Sequence, residues 1–315
     1  MKSILLTIGT LNTLFLVVAF YSAAGPDHWK DTGQGYFGCY ELIDKTYGTK
    51  TIVTVTGNIR KIVTNALPNH ETGNFPNPGN PNTISEQRRT YELPLSPVYK
   101  GQARWVREPG VALNGIKFEP QTAVIVQCGS GEHYWVEALQ DLIDLGLDFN
   151  HAHVQPTGAY HYHGTPISLI EMLDKEQDPI HIGFAVDGFP IYYSAKGTYK
   201  SSYRLFDENR EGTDCDYSTP HLNREIMIED TLPDGTFGSD WEYVPGLGNL
   251  DECNGIMLND SYAYFVTDEF PYVGRCLKGE FEEEKRHKPS PGNHPPKGRD
   301  RQNRPKGEGH GHPHD

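Results

Sequence analysis

Four histidines fall within thirteen residues of this chain, and their spacing is suited to metal binding. The segment 148–164 reads DFNHAHVQPTGAYHYHG and contains two His-x-His pairs, His151/His153 and His161/His163. Side chains alternate along a β-strand, so each pair would present both imidazoles on one face. Imidazole nitrogens grouped in this way suit zinc, copper or iron.

The residues between the two pairs predict a tight hairpin. In Pro156-Thr157-Gly158, proline suits the start of a type I turn and glycine suits its left-handed position. A three-residue turn of this kind sets the register, and all four imidazoles should then share one face. The opposed pairs are Gln155 with Ala159, His153 with His161, and His151 with His163.

Other polar residues are candidates to complete or support this site. His181, Asp148 and Asp187 are candidates, since a carboxylate can also orient a ligand histidine. Glu132 and Glu171 could act as acid or base, but their spacing does not single them out. The alternative is that the histidines are core residues bonded to backbone carbonyls. Two His-x-His pairs that bracket a turn favour metal binding.

The elements that must position these residues are mainly strands. Gly and Pro punctuate short runs rich in Thr, Val, Ile and Tyr, which predict strands at 51–56, 122–127, 183–186 and 263–267. Asp187-Gly188 predicts a two-residue hairpin turn. Apolar spacing predicts a helix over 134–145, and Ser168 with Glu171 has the form of a capping box that opens a short helix. The expected fold is therefore mainly β, a β-rich α+β single domain with few short helices.

The composition divides the chain into three parts. Residues 1–24 have the charge, apolar run and small-residue site of a signal peptide, so the protein is expected to be secreted, with no membrane span after cleavage. Residues 25–280 form the predicted domain. Residues 281–315 are rich in Pro, Gly, His and charge, which predicts a disordered tail. Three histidines near its end, at 310, 312 and 314, could capture metal ions weakly or be incidental.

Charge and cysteine content narrow the possible partners. The net charge is −14, and because the leader and tail are net positive the body carries about −17. Such a surface excludes nucleic acid and favours cations or basic partners. Five cysteines in a secreted chain predict one or two disulfides and one remaining thiol. Cys253 and Cys276 are the favoured pair, since they flank one compact segment.

The sequence also resembles a known family. Tyr160-His161-Tyr162-His163 is the motif that names the YHYH domain family of secreted proteins, and the resemblance covers residues 39–279. Further segments similar to the family lie at 65–82, 110–115, 146–164, 181–192, 250–255 and 266–272, followed by Cys276.

This resemblance implies an extracytoplasmic β-rich domain that binds metal, without a settled activity. The histidine motif of the family falls on His151, His153, His161, His163 and His181. A similar segment, 261–265, has Ala263 and Phe265 where some relatives carry histidines. A second histidine site is therefore not expected in this chain.

Three functions are compatible with the sequence. The first is a transition-metal-binding domain that uses the histidine hairpin. The second is a non-enzymatic extracellular matrix protein that contacts calcium or a mineral surface through its acidic body, with the histidines in structural roles. The third is a module that binds glycans or proteins through its many tyrosines.

Overall fold

The computed structural model describes residues 29–31, 35–173, 176–216 and 228–282. The predicted leader and nearly all of the predicted tail lie outside these residues. The described chain is mainly β, as predicted, with one short α-helix and two 3₁₀ turns, Gly35–Phe37 and Gly238–Asp240. No helix in this part of the chain is long and apolar enough to cross a membrane.

The strands are numbered along the chain. The first ten are β1 Trp29–Asp31, β2 Tyr40–Asp44, β3 Thr49–Thr56, β4 Ile59–Thr64, β5 Arg89–Pro94, β6 Tyr99–Trp105, β7 Gly110–Ala112, β8 Lys117–Phe118, β9 Ile125–Cys128 and β10 His133–Trp135. The others are β11 Ala152–Val154, β12 Tyr160–Tyr162, β13 Ile180–Ala185, β14 Pro190–Tyr193, β15 Tyr203–Leu205, β16 Cys215–Asp216, β17 Trp241–Tyr243, β18 Gly255–Leu258, β19 Ser261–Val266 and β20 Cys276–Gly279. The helix α1 is Ile167–Met172.

Two sheets account for most of the fold. A five-stranded antiparallel sheet has the order β1-β2-β3-β4-β5, and an eight-stranded sheet has the order β11-β12-β8-β7-β13-β14-β19-β18. One hydrophobic core combines residues of both sheets, such as Tyr40 and Ile62 from the first and Phe118 and Phe184 from the second. The Tyr40 hydroxyl also donates to the carbonyl oxygen of Leu113, 2.8 Å away, which joins the two layers.

The eight-stranded sheet has approximate twofold symmetry in its strand pairing. Read from either edge, the pairings are antiparallel, parallel and antiparallel, and they meet at the antiparallel pair β7–β13. We refer to β7, β8, β11 and β12 as the first half-sheet and to β13, β14, β18 and β19 as the second half-sheet. Each half-sheet consists of two antiparallel hairpins, and one strand of the first hairpin pairs in parallel with one strand of the second.

Local sequence supports this correspondence between the half-sheets. Residues 110–119 read GVALNGIKFE and residues 183–192 read GFAVDGFPIY, so Asn114 corresponds to Asp187. Both turns contain a glycine at positive φ, +87° at Gly115 and +91° at Gly188. The turn asparagine or aspartate contacts a strand tyrosine in each case: Asn114 Nδ2 donates to the Tyr162 hydroxyl, and the Tyr264 hydroxyl donates to Asp187 Oδ2.

The second hairpin of each half-sheet also begins in the same way. Asp148 Oδ1 accepts backbone N–H bonds from residues 150 and 152, and Asp251 Oδ1 accepts them from residues 253 and 255. The other carboxylate oxygen accepts a tyrosine hydroxyl 2.7 Å away, from Tyr160 at Asp148 and from Tyr262 at Asp251. The two half-sheets therefore share turn chemistry as well as pairing order.

Four predicted strands are present with shifted ends, but three local predictions were wrong. The segment 134–145 is not a helix: Tyr134 lies in β10, and its apolar residues pack into a separate core with Val126 and Phe237. The helix α1 exists, but Ser168 does not cap it: the N-cap position is Pro166, which has no side-chain acceptor, and the Ser168 N–H bonds to Asn150 Oδ1 at 2.8 Å. Asp187-Gly188 belongs to a three-residue turn, since the Ala185 N–H bonds to the Phe189 carbonyl.

The described chain contains two disulfides. Cys253 and Cys276 are bonded, as predicted, and Cys128 is bonded to Cys215. Cys39 belongs to neither disulfide. The Cys253–Cys276 disulfide links the turn before β18, in the second half-sheet, to the start of β20.

Candidate metal centre

The histidine hairpin has the predicted register. β11 and β12 are antiparallel, with His153 opposite His161. The Gln155 N–H bonds to the Ala159 carbonyl at 3.0 Å, and Gly158 takes the left-handed conformation at φ +83°. The three-residue turn therefore sets the facing positions.

Three of the four histidines come together on one face of this hairpin. Ligand nitrogens of His153, His161 and His163 all lie within 4.8 Å of one another. The Nε2 atoms of His153 and His163 are 3.1 Å apart, and the three ring centroids are 4.6–4.7 Å apart. His161 and His163 are buried, and His153 is partly buried.

Backbone carbonyls determine which nitrogen faces the centre of the group. His153 Nδ1 lies 2.9 Å from the Leu145 carbonyl oxygen, and His161 Nδ1 lies 3.2 Å from that of Ala159. A carbonyl can only accept, so in each neutral ring Nδ1 carries the proton and Nε2 carries the lone pair. Metal-ligating histidines characteristically donate their second N–H in this way.

The electrostatic environment keeps these imidazoles neutral. Burial is the main cause that lowers the pKa of each ring, and the pKa values of His161 and His163 fall well below the ordinary value. The neighbouring imidazoles lower both of these pKa values further. The three rings are therefore in the uncharged form that a metal ion requires.

The fourth histidine of the motif is not part of the group. His151 is opposite His163, and the His163 N–H bonds to its carbonyl at 2.8 Å. However, His151 precedes β11 and has a φ of +52°, which turns its side chain out of the strand alternation. Its Nδ1 lies 3.0 Å from the Thr165 carbonyl oxygen. The hairpin register alone did not predict this left-handed residue.

The other sequence candidates have contacts elsewhere. His181 stacks on Phe37 and its Nε2 bonds to the Gly183 carbonyl at 2.9 Å; burial lowers its pKa to about 3.

Asp187 is buried in its turn, where it accepts the Tyr264 hydroxyl and the Gly279 N–H. Asp148 supports the hairpin from behind through Tyr160. The structure brings none of these residues into the three-histidine group.

A buried carboxylate that the sequence did not single out lies beside the group. Glu119 Oε2 is 4.0 Å from His161 Nε2, and both side chains are 2% exposed. The neighbouring Lys117 is also buried and contacts Glu119 at 2.6 Å. The parallel pairing of β8 with β12, in which Lys117 is the partner of His161, places both residues beside the histidines. The alternation of Lys117 and Glu119 around Phe118 predicts a strand with one charged face, but the sequence does not reveal its neighbour.

The corresponding place in the second half-sheet is apolar. Aligning Tyr160 with Tyr262 matches His161 to Ala263 and His163 to Phe265, and aligning Asp148 with Asp251 matches His153 to Ile256. These three residues belong to a small hydrophobic cluster, in which Ala263 and Phe265 are buried. The same backbone arrangement is therefore compatible with an apolar cluster.

The donor set of the three histidines fits a transition metal ion. Two tetrahedral zinc ligands, each about 2.0–2.1 Å from the ion, lie roughly 3.3 Å apart, close to the shortest separation in the group. Three neutral rings have three N–H groups and three lone pairs. Two of the N–H groups, those of His153 and His161, are bonded to carbonyls, which leaves three lone pairs but only one N–H within the group. His163 Nδ1 is buried without a hydrogen-bond partner within the described chain. A cation would satisfy this excess of lone pairs.

Comparison with known proteins identifies the family. A family model described as YHYH protein matches residues 90–279, more than half of the chain, and the chain belongs to this family. The match begins later than the resemblance read from the sequence, so β1–β4 lie outside it. No curated protein and no solved structure matches the chain significantly.

Proposed function

We propose that this YHYH-family protein binds one transition metal ion through His153, His161 and His163. The observation that carries the proposal is the convergence of their three ligand nitrogens within 4.8 Å on a hairpin. Two of these rings, His153 and His161, already have their proton on the outward nitrogen, so they can bind an ion without a change of tautomer.

The second half-sheet strengthens this proposal. If the histidines served only to pack the sheet, apolar residues would do so at lower cost, because buried polar groups lose hydration. The second half-sheet uses Ile256, Ala263 and Phe265 at the corresponding positions. The histidines are therefore better explained by a ligand than by packing.

Nitrogen donors favour zinc, copper or iron over calcium or magnesium, which prefer oxygen ligands. When bound, such an ion would supply Lewis-acid chemistry at this face of the hairpin. The Glu119 carboxylate, 4.0 Å from His161 Nε2, is close enough to influence it.

We also propose that the protein acts outside the cytoplasm. Two disulfides among the described residues are consistent with an oxidising compartment. The sequence of residues 1–24 has the character of a signal peptide, which would direct the chain to such a compartment.

Metal analysis of matched variants tests the proposed centre. The protein should be the full chain with His310, His312 and His314 replaced by alanine, so that the histidine cluster near the end of the tail cannot contribute ions. We expect about one zinc, copper or iron ion per chain and its loss in a His161→Ala, His163→Ala variant. A His181→Ala variant is the control, because His181 stacks on Phe37 and bonds to the Gly183 carbonyl outside the group, and it should retain the ion.

Two outcomes would contradict the proposal. The first is a folded protein that carries no ion and takes up none of the three metals when they are added. The second is an ion that remains bound after both histidines are replaced. Calcium binding that survives their loss and weakens with salt would favour the acidic matrix function instead.

A further inference from the structure

Glu119 occupies a position beside the proposed metal centre that is set by the sheet itself. It directly follows β8, and its N–H bonds to the Tyr162 carbonyl at 2.9 Å. β8 is parallel to β12, with Lys117 paired to His161. The next position on the same face therefore places Glu119 beside His163, and its Oε2 atom lies 4.0 Å from His161 Nε2.

The second half-sheet shows that this carboxylate changes together with the histidines. The correspondence of residues 110–119 with 183–192 matches Glu119 to Tyr192. Tyr192 is paired with Phe265 and packs against the same apolar cluster, with a ring-centroid separation of 5.9 Å. The first half-sheet thus has four polar groups, three imidazoles and a carboxylate, where the second has four apolar or aromatic side chains.

The contacts of Glu119 are compatible with two roles, as the partner of a buried lysine or as a charge that acts on the metal centre. Its carboxylate accepts hydrogen bonds from Lys117 at 2.6 Å, Arg107 at 2.9 Å and Gln155 at 2.7 Å. It could therefore serve only to neutralise the buried lysine. Lys117 already has a second acidic partner, since its Nζ lies 2.9 Å from Glu108.

We propose that Glu119 is the anionic member of the metal centre, whose negative charge strengthens the binding of a cation by the three neutral imidazoles. The inference rests on the proposed function and extends it to a fourth residue. Lys117 has the opposite effect, because its positive charge repels a cation at the same place. The two members of one ion pair thus have opposite effects on metal affinity.

This difference in sign gives the test. Zinc affinity should be measured by competition with a chromophoric chelator, on the full chain with His310, His312 and His314 replaced by alanine. Glu119→Gln should weaken zinc binding by about 10- to 100-fold, the range seen when a group supporting a metal site is lost. Lys117→Met, which breaks the same ion pair, should leave the affinity equal or higher. Glu108→Gln is the control and should change it by less than about threefold.

A purely structural ion pair predicts a different pattern. Glu119→Gln and Lys117→Met would then weaken zinc binding to a similar extent, and this result would overturn the inference. An unchanged affinity in Glu119→Gln would also overturn it. If Glu119→Gln does not fold, Lys117→Met decides: affinity at or above that of the parent protein supports the inference, and a tenfold loss refutes it.

The proposed function can fail separately from this inference. If the parent protein binds no zinc, or binds it equally after His161→Ala and His163→Ala, the three-histidine centre itself is wrong. If zinc binding requires these histidines but is unaffected by Glu119→Gln, only the role of Glu119 is wrong. The absorption spectrum of the cobalt-substituted protein gives a second readout, which should change in Glu119→Gln and not in Glu108→Gln.

Discussion

The two half-sheets have the same strand pairing but different side chains at one position in the fold. In the first half-sheet, three histidines meet beside a buried glutamate. In the second, Ile256, Ala263 and Phe265 form an apolar cluster with neighbours that include Tyr192. Burying polar groups lowers stability unless they are well paired, whereas apolar groups gain from burial. The comparison separates the turns and strand pairing, which both half-sheets share, from the polar groups of the first half-sheet, which we propose bind a metal ion.

The largest effect should come from the turn glycines that both half-sheets share. A Cβ at Gly115 would lie 2.2 Å from Thr64 Oγ1, and one at Gly188 would lie 2.3 Å from the Pro94 carbonyl oxygen. Both residues also have positive φ, so alanine at either position should lower the free energy of unfolding by about 3–5 kcal/mol. Urea unfolding measures this loss.

The control for the glycine variants is Gly57→Ala. Gly57 has a φ of +59° but no atom within 4 Å of its Cβ position, so only the backbone cost of about 1–2 kcal/mol applies. If Gly115→Ala and Gly188→Ala were no less stable than Gly57→Ala, the two turns would not be the constrained elements that the comparison requires.

The hairpin aspartates should separate stability from metal binding. Alanine at Asp148 or Asp251 removes two N–H bonds within the hairpin and one tyrosine bond. Asp148 also loses the Gly73 N–H bond, and Asp251 also loses an ion pair with Lys278, so each variant should lose about 2–4 kcal/mol of unfolding free energy. Asp148 also supports the loop that leads into His153, so Asp148→Ala should weaken zinc binding. Asp251→Ala should leave zinc binding unchanged. Equal zinc affinities in the two folded variants would contradict the assignment of the centre to the first half-sheet.

A smaller effect concerns pH, because the turn aspartate of the second half-sheet corresponds to a neutral residue in the first. Asp187 corresponds to the neutral Asn114, and burial raises the pKa of Asp187 to about 6. The folded state therefore holds this proton more tightly than the unfolded state, whose pKa is near 3.9. The stabilisation is fully present below about pH 4 and is lost as the pH rises through about 6, on the order of 2–3 kcal/mol in all.

Asp187→Asn should abolish this contribution and give a shallower decline of stability between pH 4 and 7 than the parent protein. Subtracting one stability profile from the other removes the contributions of the other titrating groups, because both proteins share them. Chemical unfolding at several pH values measures it. Parallel profiles for the two proteins would show that Asp187 is ionised at its ordinary pKa and that its burial has little energetic effect.

Features that depend on neighbouring residues could be predicted from the sequence. Pro156-Thr157-Gly158 predicted the turn and the opposition of His153 and His161, because a three-residue loop leaves one register. The mainly β class followed from short β-branched runs separated by Gly and Pro. The Cys253–Cys276 disulfide was also predicted, since its segment is short.

Features set by distant or tertiary contacts could not be predicted in this way. Glu119 reaches the histidines through a parallel pairing between strands more than forty residues apart, and no local pattern specifies that partner. His151 leaves the group because Asp148 bonds the following backbone in a turn that needs positive φ. The helical spacing in 134–145 was misleading, because its apolar residues meet a separate core formed by distant segments.

The central claim is that the histidines bind metal and that the sheet does not need them. The most direct measurement compares metal content and thermal unfolding of the parent protein and a His153→Ile, His161→Ala, His163→Phe variant, which carries the residues of the second half-sheet. Both should have alanine in place of His310, His312 and His314. We expect a folded variant without bound metal, at least as stable as the metal-free parent. A variant that retains the parent's metal content, or that cannot fold, would contradict the claim.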